Sequence, residues 1–210
     1  MILLSTPLII TFIILAVILL GVIIFIFLVN PIRKIYTKKH FNKVVYKKVY
    51  KIAQYKDFYL INNFTFTLDN VQNIVVDHIL FGEKYIYVIM DKYYEGNISG
   101  KQADNSCIFV AKNGSKSYTD NPLLVIKKLL TLLCSVTGLP SELMVGLCIT
   151  NNDCAIRIQS DSKQFYAANL KELSHLVKLV ESRNVENINE EKLQEAVLII
   201  DKINKKDRTK

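Results

Sequence analysis

Three short stretches hold the residue types that could do chemistry. They are Val75-Val76-Asp77-His78, then Val88-Ile89-Met90-Asp91-Lys92, then Tyr94-Glu95-Gly96-Asn97-Ile98-Ser99-Gly100. Carboxylates are the ligands of hard cations, and a lysine beside them stabilises developing negative charge. Taken singly, each residue has a plainer reading. A lone Asp on a strand is hydrogen-bonded or solvated, and Lys92 at a strand end is a surface charge. His78, next to Asp77, points to the other side of its strand, where a packed, hydrogen-bonded core histidine is expected. Cys107, Cys134, Cys148 and Cys154 have neither CxxC spacing nor nearby histidines suited to zinc, so free thiols on apolar surfaces of a reducing compartment are expected.

The elements that must position these residues can be read from periodicity and punctuation. His40 to Gln54 sets Phe41, Val44, Val45, Val49 and Ile52 at helical spacing with lysines between, a basic amphipathic helix. Phe58 to Leu68 reads as a strand ended by a turn at Asp69-Asn70. Ile74 to Phe81 and Tyr85 to Met90 read as a hairpin joined by Gly82-Glu83-Lys84. A further strand, Ser106 to Ala111, stops at Asn113-Gly114. Asn121-Pro122 opens a helix that runs to about Val136 before Gly138 and Pro140, and Met144 to Thr150 is an apolar strand of the buried kind. Cys154 to Ile158 and Phe165 to Ala167 are short strands. Asn169 is expected to cap a helix carrying Leu173, Leu176, Val177 and Val180, and Asn189 begins the last helix. Asn204 to Lys210 reads as a frayed tail. The fold class expected is α/β (α+β), one domain with a mixed sheet flanked by helices.

The N-terminus has a different character. From Leu8 to Val29 there are 22 uncharged residues, and only Thr11, Ala16 and Gly21 depart from Leu, Ile, Val and Phe. As a helix this run spans about 33 Å, against a hydrocarbon core of about 30 Å. A cleaved signal peptide is disfavoured by the absence of a charged n-region, the length of the apolar run and the lack of a small-x-small cleavage site. Between Pro31 and Lys56 stand nine basic residues and no acid, which predicts a single-pass membrane protein with its C-terminal part in the cytoplasm. Removing those nine from the 27 Lys and Arg leaves 18, against 19 Asp and Glu, so the pI of 9.2 is a juxtamembrane property and the rest is near neutral.

The three stretches, in that order, followed by Asn121-Pro122 at a helix start and a buried strand after it, resemble the nuclease-related domain (NERD) family, which has a restriction-endonuclease-like fold. The similarity covers about Phe41 to Asn151. It implies that Asp77 matches the family's metal-ligating Asp and that Lys92 matches its lysine. In such a site Mg²⁺ needs two or more carboxylates while it polarises a phosphate and activates water. Met90 stands where the family has Glu, and a thioether is a poor ligand for a hard cation. Asp91 points to the face opposite Met90 and Lys92 unless a bulge intervenes. The family also tends to carry a Glu on the preceding helix, and here Asn42 or Lys43 sits near that place. Glu95 is the remaining candidate ligand.

The resemblance and the residues together predict a membrane-anchored, cytoplasmic domain with a degraded catalytic site and no cofactor. Its role would be nucleic-acid binding through Lys43, Lys47, Lys48 and Lys51, lysines that would serve equally on anionic lipid. Two alternatives stay open. One is a working Mg²⁺-dependent nuclease that uses Glu95 or Asp91 as an irregular second ligand. The other is a membrane scaffold that binds a protein partner through the C-terminal helices. Carboxylates converging on Asp77 would favour the enzyme, and an apolar patch beside Leu193 to Ile203 the scaffold. The domain boundaries expected are 1–30 for the anchor, 31–56 for the basic helix, 57–183 for the core, and 184–210 for the last helix and tail.

Overall fold

No charge interrupts the chain before Arg33, and the helix formed there is correspondingly long. The computed structural model describes residues 6–68, 72–160 and 162–204 and divides into two units, Met1–Phe41 and Asn42–Lys210. The first unit is helical: α1 (Thr6–Ile24), a π-helical turn (Phe25–Val29) and α2 (Asn30–Lys39). Pro31 gives the π turn its physical reason. Pro31 has no N–H to donate to Phe27, and in a regular helix its ring would press on that carbonyl, so the preceding turn widens. The Asn30 N–H bonds to the Phe25 carbonyl instead. Every Leu, Ile, Val and Phe from Ile9 to Val29 is between 44% and 71% exposed. A helix apolar all round needs apolar surroundings, and the span from Ile9 to Lys39 is long and apolar enough to cross a membrane.

The second unit is built on two sheets. Helix α3 (Phe41–Lys56) buries Val45, Val49 and Ile52, each worth roughly 1.5–3 kcal/mol, together with Ala53, and exposes Lys43, Lys47 and Lys51. It ends in a left-handed Asp57 (φ 57°), with the Phe58 N–H returning to the Ala53 carbonyl. The larger sheet has the order β1 (Tyr59–Leu68), β2 (Gln72–Phe81), β3 (Ile86–Lys92), β7 (Met144–Thr150), β9 (Phe165–Asn169). Its β1–β2 and β2–β3 pairs are antiparallel, and β3–β7 and β7–β9 are parallel. The smaller sheet has the order β6 (Lys116–Asp120), β5 (Ser106–Ala111), β4 (Gly96–Lys101), β8 (Ile156–Gln159).

On one face of the larger sheet, Ile86, Val88 and Met90 of β3 and Met144 and Cys148 of β7 form a core with α4 (Pro122–Thr137) and α6 (Glu190–Ile203). Asn121 caps α4 by accepting the Leu123 N–H, and Gly138, at φ 71°, terminates it. On the other face, Tyr46 of α3 lies over His78, and Glu181 of α5 (Leu173–Glu181) receives the Tyr87 hydroxyl. Ile61 and Phe64 of β1 both enter the α4-side core, as do Val76 and Ile79 of β2. Strict alternation would put members three apart on opposite faces. It therefore skips a residue in both strands at the same level, where Asn63 and Asp77 drop out of the ladder, while the register is the same on either side, at Asn62↔His78 and Phe64↔Val76. The skip in β1 coincides with Asn63, which adopts φ 50°.

Several expectations are corrected. Asn169 does not cap a helix. It ends β9, and its buried amide donates to the Thr150 hydroxyl and to the carbonyls of Asn151 and Cys154, while Glu172 occupies the cap position of α5. The tail does not fray at Asn204, which is buried and accepts the Thr65 N–H of the edge strand β1. The expected turn at Asp69-Asn70 and the residues after Asn204 lie outside the described residues. Of the smaller sheet, β5 matches the strand expected from Ser106 to Ala111 and β8 overlaps the one expected from Cys154 to Ile158, whereas β4 and β6 have no counterpart among the expected elements because they carry few apolar residues. Gly96 lets β4 approach β5, since a Cβ there would meet the Val110 carbonyl oxygen at 2.2 Å.

Candidate functional site

Asp77 sits at the level where alternation skips, half-buried. Its Oδ2 accepts the backbone N–H of Asp91 at 2.8 Å. The β2–β3 ladder runs from Phe81↔Ile86 to His78↔Ile89, so this carboxylate takes up a β3 donor just beyond its end. The Asp91 side chain turns to the face of His78. His78 is buried, with Nε2 3.1 Å from Asp91 Oδ2 and Nδ1 2.7 Å from Asn62 Oδ1. The second oxygen of Asp91 is buried without a hydrogen-bond partner among the described residues. Burial pushes the Asp91 carboxyl up to about 6; His78 works against the rise and the nearby Asp77 charge adds to it.

Met90 lies on the opposite face, packed in the α4-side core and directly across from Cys148 of β7. Burial pushes the Cys148 thiol up to about 12, with the Lys92 charge opposing the shift, so this sulfur stays protonated and inert. Burial likewise raises Cys107, Cys134 and Cys154, and all four thiols are free. Lys92 is exposed at the end of β3, and Glu95 is exposed in the connection to β4. Among the described residues no three His, Cys, Asp or Glu side chains are grouped to hold a metal ion. The structure brings to this level of β2 and β3 one half-buried carboxylate, Asp77, with the Met90 thioether on the α4-side face and the Asp91 carboxylate hydrogen-bonded to His78 on the other.

The description "Nuclease-related domain" belongs to the family model that matches residues 41–149, slightly more than half of the chain. The chain belongs to the nuclease-related domain family. Comparison with curated proteins and with solved structures gives no match. The nuclease-related domain thus begins at α3 and ends within β7, and it contains Asp77, Met90, Lys92 and Glu95. Its Asn121 is structural. Besides capping α4, the Asn121 Nδ2 donates to the carbonyls of Lys101 and Asp104 and ties the β4–β5 loop to that helix.

The first helix of the nuclease-related domain also carries a surface that the sequence reveals only in part. Lys43, Lys47 and Lys51 form an exposed stripe, and Lys48 is half-buried beside it. Running alongside are exposed tyrosines, Tyr46 and Tyr50, with ring centroids 5.9 Å apart, and Tyr55, which is 85% exposed. The i, i+4 spacing of Tyr46 and Tyr50 next to the lysine stripe was the available signal. His78, Asn62 and Asp91 form a network that sequence spacing could not show, because Asn62 and His78 meet only through the β1–β2 register.

Proposed function

We propose that this protein is a membrane-anchored nuclease-related domain, held on the cytoplasmic side, that binds nucleic acid without cleaving it. The observation that carries the reading is the exposed face of α3, where lysines run beside tyrosines. Lysines neutralise backbone phosphates, and tyrosine rings stack on unpaired bases, so this face suits a single strand. The absence of cleavage is supported by Met90 in the place of the family's Glu and by Asp91 turned onto His78. The anchor is supported by the exposed apolar helix, and its orientation by the nine basic residues that follow. The scaffold alternative loses ground because Ala196 and Ile200 of α6 are buried and Leu193, Val197 and Ile203 pack against the core, so that among the described residues of the two C-terminal helices the exposed large apolar side chains, Leu179 and Leu198, stand singly.

The test uses the full chain in neutral detergent micelles with a labelled single-stranded oligonucleotide. Binding is expected to weaken steeply with salt. Replacing Lys43, Lys47, Lys48 and Lys51 by Gln is expected to lower the log–log slope by up to about 3, and Tyr50→Ala to weaken binding roughly tenfold at an unchanged slope. No Mg²⁺- or Mn²⁺-dependent cleavage above background is expected. An unchanged slope in the lysine variant removes nucleic acid from that face, and robust cleavage that disappears in Asp77→Ala returns the protein to the enzymes.

A further inference from the structure

A cleft of about 320 Å³ opens between α3 and α5 along one edge of the exposed face of α3, with which it shares Lys48, Lys51 and Tyr55. Its rim carries Lys48, Lys51 and Lys56 from one helix and Lys178 from the other, and its floor is Ile52 and Val177. We propose that this cleft binds an anionic phospholipid, with the phosphate among the lysines and the first carbons of an acyl chain on the apolar floor.

Three features select that occupant. Cationic groups converge from two helices and no acid lines the cleft among the described residues, so the positive potential is focused on one place. Ile52 and Val177, 9% and 2% exposed, close the bottom of the cleft, and the methylene stems of its lysines with the Tyr55 ring make its walls apolar, a surface that an amphiphile covers and a polyanionic strand does not. Tyr55 on the rim, with its ring in solvent, is the amphipathic type that suits a lipid–water boundary, and the Ser174 hydroxyl adds a polar group for the headgroup. The volume is at the small end for ligand pockets, so it suits a headgroup and its first methylenes and not a whole lipid. Chain connectivity favours the encounter as well. Eighteen residues separate Val29 from Lys48, so an apolar helix held in a bilayer keeps the cleft at high local concentration of headgroups.

The experiment titrates the full chain, in neutral maltoside micelles, with dihexanoyl phosphatidic acid, dihexanoyl phosphatidylcholine, inorganic phosphate and a single-stranded oligonucleotide, using calorimetry against protein-free micelles. Saturable one-site binding of the phosphatidic acid is expected, with no site for the choline lipid or for inorganic phosphate. The pair Lys48→Gln/Lys178→Gln is expected to weaken it roughly thirtyfold. Ser174→Phe, which fills the slot without changing charge, is expected to abolish it. The pair Lys43→Gln/Lys47→Gln, on the same helix outside the cleft, is expected to leave it unchanged, with circular dichroism confirming that each variant is folded. Equal binding of the two lipids overturns the proposal. So does equal damage from the two lysine pairs, which would mean diffuse adhesion. Displacement by inorganic phosphate would make the cleft a free-phosphate site, and displacement by the oligonucleotide would give it to the strand; either result overturns the lipid reading.

Discussion

Burial leaves Asp91 with one oxygen on His78 and the other on nothing among the described residues, so the folded protein favours the protonated carboxyl. Its value is raised above that of the unfolded chain, and such a group contributes stability below its unfolded pKa that is lost as pH rises through about 6. Asp91→Asn keeps a partner for His78 Nε2 and removes the charge. At pH 7 it is expected to stabilise the fold by up to about 3 kcal/mol, the equivalent of the raised pKa, with the gain vanishing towards pH 4. Thermal melts of both proteins across that range check it, and a destabilised variant at pH 7 would refute it. Met90 presents the opposite case, an apolar residue on an apolar face. Met90→Glu is expected to cost about 2–4 kcal/mol without metal, because it buries a carboxylate in the α4-side core. Mn²⁺ is expected to restore part of that loss, since the new carboxylate would share a face with Lys92 and give a cation a second ligand. Melting temperatures of the variant with Mn²⁺ and with chelator decide it.

At the scale of elements, one side chain joins the two sheets' supporting parts. Asn121 caps α4 through Oδ1 and holds the β4–β5 loop through Nδ2, so a single residue serves the helix start and the smaller sheet at once. Asn121→Ala loses a cap, worth about 1 kcal/mol, and leaves the part-buried carbonyl bonds of Lys101 and Asp104 without their donor. A total cost of about 2–4 kcal/mol is expected from chemical denaturation, and a loss no larger than that of a cap alone would show that the loop finds other partners. β4 and β6 of the smaller sheet are hard to see in the sequence because they carry few apolar residues; Ile98 and Cys107 are the buried apolar members of β4 and β5 beside Cys154. Periodicity reports burial, and strands that bury so little give it little to report.

At the scale of the whole molecule, an uncharged N-terminal run and a purely basic flank set the expected topology. A reporter fused after Lys210 is expected to be active in the cytoplasmic form only, and labelling of that end from outside intact cells would overturn the orientation. The division of the chain falls at Phe41, inside the basic stretch, so its lysines are shared between the helix that ends in α2 and the domain that begins with α3.

The sequence by itself determined the apolar helix, the amphipathic α3, the β2–β3 hairpin, both ends of α4 and the family, because each is written in composition, local periodicity or adjacent residues. It also placed Asp91 opposite Met90, since alternation is a local rule. The tertiary structure alone decided that Asp91 meets His78, that Asn169 serves three acceptors instead of a helix, and that Lys178 faces the lysines of α3. Those outcomes depend on strand register and on which helices share a face of the sheet. Both follow from packing between segments far apart in the chain, and no local pattern encodes them.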